Sequence, residues 1–115
     1  MLSAPVFIAC VADVRACIKD LDFMVAEESS QLDLKRVIRD TTIAIEHVVL
    51  QAQSMGLGTC WVGHFTQAAL RPVLEVPVDK YVVAVLTIGF AAEAPERKPR
   101  KTVEELVYYN IWGAT

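Results

Sequence analysis

The chain has 115 residues, 54% hydrophobic and 22% charged, with a formal net charge of -3. A chain of this length supports one buried core, so residues 1–115 are read as a single domain. The acidic balance, with an isoelectric point near 5.3, argues against a nucleic-acid module, which needs a basic face.

A mean hydropathy of +0.37 is high for a chain this short, because small domains hide only about 60–70% of their unfolded surface. Either some elements are buried on all sides, or a partner chain covers apolar surface. Cys10, Cys17 and Cys60 have no CxxC spacing and come with two histidines. That pattern fits reduced thiols in a cytoplasmic protein and gives no zinc site. His47 to Leu70 carries no Asp, Glu, Lys or Arg. Gln51, Gln53, Ser54, Gly56, Gly58 and Gln67 interrupt it, so it is not read as a membrane span. The apolar start lacks the positive region of a signal peptide.

In chain order, Val6 to Ala12 is a short β-branched run that reads as a strand covered on both faces. Asp13 to Arg39 is dominated by charge, with apolar residues at Ile18, Leu21, Phe23, Met24, Leu32, Leu34, Val37 and Ile38, and Glu27–Ser30 reads as an exposed loop. Asp40 is placed to cap the N–H groups of Thr42 or Ile43 and to open a helix. Glu46 with Gln53, and His47 with Ser54, form its one polar stripe. Apolar residues surround the rest, which predicts a buried helix. Gly56 supplies a left-handed stop, with Leu57 folding back on the last turn.

Thr59 to Val62 reads as an extended segment closed by Gly63. Thr66 can cap a brief helix through Leu70 that Pro72 breaks or kinks. Tyr81 to Gly89 repeats the apolar strand signal, and two such strands predict a sheet sandwiched between helices. Thr102-Val103-Glu104-Glu105 has capping-box spacing and opens a last helix to about Tyr109.

Several of these pieces resemble one family in their order and spacing. Asp40 to Gly56-Leu57-Gly58, then Cys60-Trp61-Val62-Gly63, is similar to the core helix and following strand of nitroreductases. Leu74-Glu75-Val76-Pro77 resembles that family's Leu-Gly-Ile-Pro turn, and Leu86 to Phe90 its Leu-x-Leu-Gly-aromatic strand. Lys98-Pro99-Arg100 before Val103 to Val107 resembles its basic loop and last helix, and Ala4-Pro5-Val6 its earlier central strand. The resemblance implies an α/β fold, a three-layer α-β-α sandwich around a mixed sheet, shortened at the N-terminal side. It also implies a cytoplasmic homodimer with FMN between subunits. The activity implied is an NAD(P)H oxidoreductase that reduces nitro, quinone or similar aromatic acceptors in ping-pong fashion.

Residue by residue, the resemblance puts the backbone N–H groups of Val62 and Gly63, with Trp61 before them, against the N5 and O4 edge of the flavin. It puts Lys98 and Arg100 on the FMN phosphate, a task suited to a point charge and a bidentate fork. Hydride transfer to a flavin needs no side-chain nucleophile, so no catalytic residue is named. Read without the family, Gly63 ends a strand, and Lys98 with Arg100 is a solvated charge run. His64 can line a substrate pocket, while Phe65, Tyr108, Tyr109 and Trp112 read as core or interface packing. Gly56-Leu57-Gly58 is not a dinucleotide fingerprint, because it follows a helix and precedes a strand. The family's Arg-x-Ser-x-Arg anchor and its Asn/Gln-Pro ring contact have no counterpart in these residues. That leaves a competing expectation, a truncated, non-catalytic dimerisation or ligand-binding protein of the same fold.

Overall fold

The computed structural model describes residues 4–19 and 22–114; Leu21, counted above among the apolar positions, lies outside them. Strand β1 spans Val6–Asp13, helix α1 Leu32–Ser54, strand β2 Gly58–Val62, helix α2 Gln67–Leu74, strand β3 Lys80–Gly89 and helix α3 Val103–Leu106. The sheet order is β1-β3-β2. β3 is the strand most like its sequence expectation: Val82, Ala84, Leu86 and Thr87 are buried, with neighbours on both edges. β1 is an edge strand, so Val6, Phe7, Ile8 and Val11 stay exposed where a doubly covered strand was expected. An apolar run shows that a strand avoids water, not which chain covers it.

All pairings among the described residues are antiparallel, so the mixed character expected of the sheet is not present there. The α/β architecture itself holds. α1 crosses one side of the sheet and touches all three strands, setting Ile45 against Ala84 and Leu86. A second cluster joins Val14, Val25 and Leu34 with Ile18, Phe23, Ile38 and Tyr81. The loop before α1 thereby becomes part of the core. Two short ion pairs close the far end of the β1–β3 ribbon, Lys80 to Asp13 and Arg15 to Asp79, each at 2.5 Å.

α1 begins at Leu32, earlier than expected, and its N-cap Gln31 makes no side-chain capping bond. Asp40 sits in mid-helix. The apolar stripe through Leu34, Val37 and Ile45 is continuous across it, so burial along that stripe outweighs one residue's capping preference. The hydroxyls of Thr41 and Thr42 bond back to the carbonyls of Val37 and Ile38 at 2.9 and 2.8 Å instead of starting a new helix. Nor is α1 buried all round: Ile43, Val48, Leu50 and Met55 face water in the single chain. Its end is as expected. Gly56 adopts φ +77, Gly56 N–H donates to Gln53 (3.1 Å) and Leu57 N–H to Ala52 (3.0 Å), the paired bonds of a Schellman stop.

α2 runs through Pro72 instead of stopping before it. Pro72 forgoes only the bond to the Ala68 carbonyl, which lies on an exposed turn and is open to water. The helix then ends on Glu75 at φ 55, with Val76 N–H returning to Arg71 at 3.0 Å. α3 carries the full capping box, Thr102 N–H to Glu105 at 2.7 Å and Glu105 N–H to Thr102 at 3.4 Å. It stops at Leu106, short of Tyr109.

From Phe90 to Gly113 every residue is exposed, forming an arm that leaves the sheet at Gly89. The radius of gyration is 17.6 Å, against about 13 Å for a compact domain of this length. The surface of 9046 Å² compares with roughly 6,200 Å² for a folded monomer of the same mass.

Candidate functional site

Strand β2 pairs with β3 from Gly58 opposite Gly89 to Val62 opposite Val85, and Gly63 is the first residue past the ladder. Trp61 is 39% exposed, Val62 half-buried and Gly63 exposed. Gly63 differs from the other strand-end glycines. A Cβ on Gly89 would meet Pro5 Cδ at 2.7 Å, and one on Gly58 would meet the Ala91 Cβ at 3.3 Å, whereas one on Gly63 meets nothing within 4 Å. Nor does Gly63 have a positive φ. Neither packing nor backbone conformation within this chain requires a glycine there. The space beside it is open.

Lys98 and Arg100 lie on the arm, nine and eleven residues beyond the end of β3. β2 and β3 are antiparallel, so the arm departs beside Gly58, at the opposite end of β2 from Gly63. Eleven extended residues span up to roughly 36–40 Å, ample to return along the five-residue offset from Gly58 to Gly63. The Arg100 guanidinium donates only to the carbonyls of its own loop, Lys98 at 3.2 Å and Pro99 at 3.3 Å. Among the described residues no carboxylate pairs with either cation. Two positive charges are thus free to meet an anion, but among the described residues no hydrogen bond joins them to Gly63, and neither of the two cavities below contains either segment.

The cavities lie elsewhere. One of about 370 Å³ is lined by His47, Val48, Gln51, Ala52, Met55, Leu57 and Ile88 beside the end of α1. Another of about 340 Å³ lies between Cys17–Lys19 and Asp33–Val37. His64 and His47 are both exposed. Burial pushes the Cys10 thiol up, and burial, then the nearby Glu27 charge, pushes the Tyr81 phenol up.

Just past Gly63 lies a polar assembly around α2 that has no signature in the sequence. Gln67 is 2% exposed; its side-chain NH₂ donates to the Val82 carbonyl and its Oε1 accepts from the Val82 N–H, both at 2.8 Å. The Glu27 carboxylate accepts from the Gln67 backbone N–H, and Arg71 donates to the Val25 carbonyl. Thr66 caps the helix from the Ala69 N–H at 3.2 Å, as its sequence position suggested.

Residues 1–90 match the sequence model of the nitroreductase family. The chain belongs to the nitroreductase family. A crystal structure from Bacteroides fragilis classed as an oxidoreductase superposes with a TM-score of 0.80 at 20% identity, over 97% of this chain and 47% of that one. A Clostridium difficile nitroreductase family protein gives 0.71 at 26% identity, over 95% and 61%. An FMN-dependent nitroreductase from the same species gives 0.57 at 21% identity, over 96% and 82%. The chain thus spans about half to three fifths of the first two relatives, 47% and 61%. The match to the family ends at residue 90, before Lys98 and Arg100, whereas the likeness in fold takes in most of the arm.

Proposed function

We propose that this chain is the flavin-gripping part of an FMN-dependent NAD(P)H oxidoreductase. Its acceptors are nitroaromatics, quinones or similar small aromatic molecules, and it acts as a homodimer in the cytoplasm. The observation that carries this reading is Gly63, a glycine that its own chain does not need, set at the open end of a strand. Bound FMN would supply the two-electron carrier that takes hydride from the nicotinamide and passes it on. The chain's part is to offer the Val62 and Gly63 N–H groups to the ring edge, where negative charge grows on reduction. Lys98 and Arg100 would hold the phosphate as cations without competing carboxylates, and Trp61 would flank the ring. No side chain here is asked to act as acid, base or nucleophile.

The dimer rests on surface. An excess on the order of 2,800 Å² over a compact monomer exceeds what one partner contributes to a standard interface, about 800 Å². Apolar residues of the arm and of α1 contribute to the exposed surface, including Leu50 (59% exposed), Ile111 (72%) and Trp112 (90%). Tyr108 and Trp112 already stack edge to face, centroids 4.8 Å apart, so the arm presents a preformed aromatic tip. Among the described residues no helix is long and apolar enough to cross a membrane.

The test is FMN titration of wild-type protein and of the Lys98→Ala/Arg100→Ala variant. Each lost charged hydrogen bond should weaken binding by about 1.5–3 kcal/mol, with an unchanged urea midpoint. A rival reading draws on the chain's 47% share of the Bacteroides relative: a dimerisation or ligand-binding remnant without catalysis. Wild-type protein that dimerises yet stays colourless in excess FMN favours that rival.

A further inference from the structure

Continuing the β2–β3 register past Val62 would set Phe65 opposite Val82. The chain does not continue. It leaves the sheet at Gly63, turns with Phe65 N–H donating to the Gly63 carbonyl at 3.1 Å, and enters α2 at Gln67. The place Phe65 would have taken is filled by the side-chain amide of Gln67. That amide makes the two bonds to Val82 that a strand residue would make with its backbone. We propose that Gln67 is a positioning residue: its side-chain amide, with Glu27 holding its backbone N–H, pins the far end of the Gly63–Thr66 loop and so fixes how the Val62 and Gly63 N–H groups are presented. The flavin part of this claim rests on the function proposed above; the latch itself does not.

Ladder pairing stops at one end of the loop with Val62 and resumes at the other through a side chain, so four residues are tethered at both ends. Without the amide, the Thr66 cap, the Phe65–Gly63 turn bond and the Glu27 bond to the Gln67 N–H would remain, but no hydrogen bond among the described residues would tie the loop's far end to the sheet. Gln67 is the one buried polar residue of α2, and both of its hydrogen-bonding groups are used on one residue of the central strand. An apolar residue would fill the same volume but leave the buried Val82 N–H and carbonyl unpaired, which is costly. Glu27 acts one step back. Its carboxylate accepts the N–H that carries the Gln67 side chain, at a helix N-terminus where negative charge is favoured. It ties the latch to the loop before α1, where Arg71 also holds the Val25 carbonyl.

The experiment compares Gln67→Met, Glu27→Ala and Glu27→Gln by amide hydrogen exchange without flavin, and then by FMN affinity and the bound flavin's reduction potential. Expected for Gln67→Met is faster exchange confined to residues 62–66 with β1–β3 protection kept. FMN affinity should fall roughly tenfold, the scale of one or two lost hydrogen bonds, and the potential should drop because donors at the ring edge are less well aimed. Glu27→Ala should move the same readouts less, and Glu27→Gln, which keeps a carbonyl acceptor, should return them toward wild type. Should Gln67→Met fail to fold, Glu27→Ala carries the test alone, since Glu27 is exposed. Unchanged exchange at 62–66 in folded variants would overturn the proposal, as would acceleration spread evenly over the whole sheet. Faster local exchange in a wild-type background that binds no FMN would uphold the latch and remove the flavin reading.

Discussion

Residues 6–89 and residues 90–113 share one chain but not one kind of order. In the first region, strands and helices satisfy each other: Val82 and Leu86 are fully buried, and α1 finds its partners on the sheet. In the second, a capped helix and an aromatic stack are well formed locally, yet nothing in it is buried before Ala114. Local signals are enough to shape the arm, but only tertiary burial can stabilise it. Under the proposed function, what would bury it is a second copy of the chain. The candidate cofactor groups divide along the same line, Gly63 on the body and Lys98 with Arg100 on the arm. Under the proposed function, whatever orders the arm also completes the site.

The sharpest way to probe the contrast is to remove equivalent apolar groups from each side of it. Leu86→Ala should destabilise the protein by about 2–5 kcal/mol in urea unfolding, because the cavity opens against Ile45 and Ala84. Trp112→Ala should leave the monomer's far-ultraviolet dichroism intact and weaken dimerisation by about 2 kcal/mol, read by sedimentation equilibrium. If the dimer is indifferent to Trp112, the arm is not an interface element and the comparison fails. Within the body, Glu75 holds φ 55 at the place where the family turn it resembles has glycine. Glu75→Gly should raise stability by about 0.5–1 kcal/mol, since a side chain in the left-handed region is strained; a loss would mean that the Glu75 side chain contributes more than its backbone costs.

The smallest effect expected is on acid sensitivity. The hydrogen bond from Lys80 holds Asp13 below the usual carboxylate range, and that from Arg15 does the same for Asp79. Both groups are ionised more readily in the folded state. Their contribution is complete above the ordinary aspartate range and is lost as pH falls through the lowered values. Both pairs are open to water, so the Asp13→Asn/Asp79→Asn variant should flatten the urea midpoint below pH ~4 only slightly. A large flattening would show the β1–β3 ribbon end to be more important than its exposure suggests.

Much of the secondary structure is legible because its signals are local. The Gly56–Leu57 stop, the Thr66 cap, the Thr102–Glu105 box and the β3 strand each declare themselves within a few residues. Misreadings arose where distant groups decide. Asp40 carries capping chemistry, but Leu34 and Ile38 upstream pack into the Val14–Val25 cluster and extend the helix past it. β1 has the composition of a covered strand and becomes an edge. The Gln67–Val82 pairing joins residues fifteen apart, and the Glu27 bond joins residues forty apart; neither has any periodicity to betray it. Of the candidate site, the β2 end could be anticipated from Cys60–Gly63. How the basic loop would meet it could not, because Lys98 and Arg100 lie on an exposed arm that, among the described residues, makes no contact fixing its place.

Gly63→Ala addresses the central claim most directly, since the methyl has open space in this chain and an ordinary backbone to sit on. The account predicts an unchanged fold and dimer with FMN binding weakened roughly tenfold or more, the cost of forcing a methyl into a filled contact. Equal FMN affinity in the two proteins would contradict it.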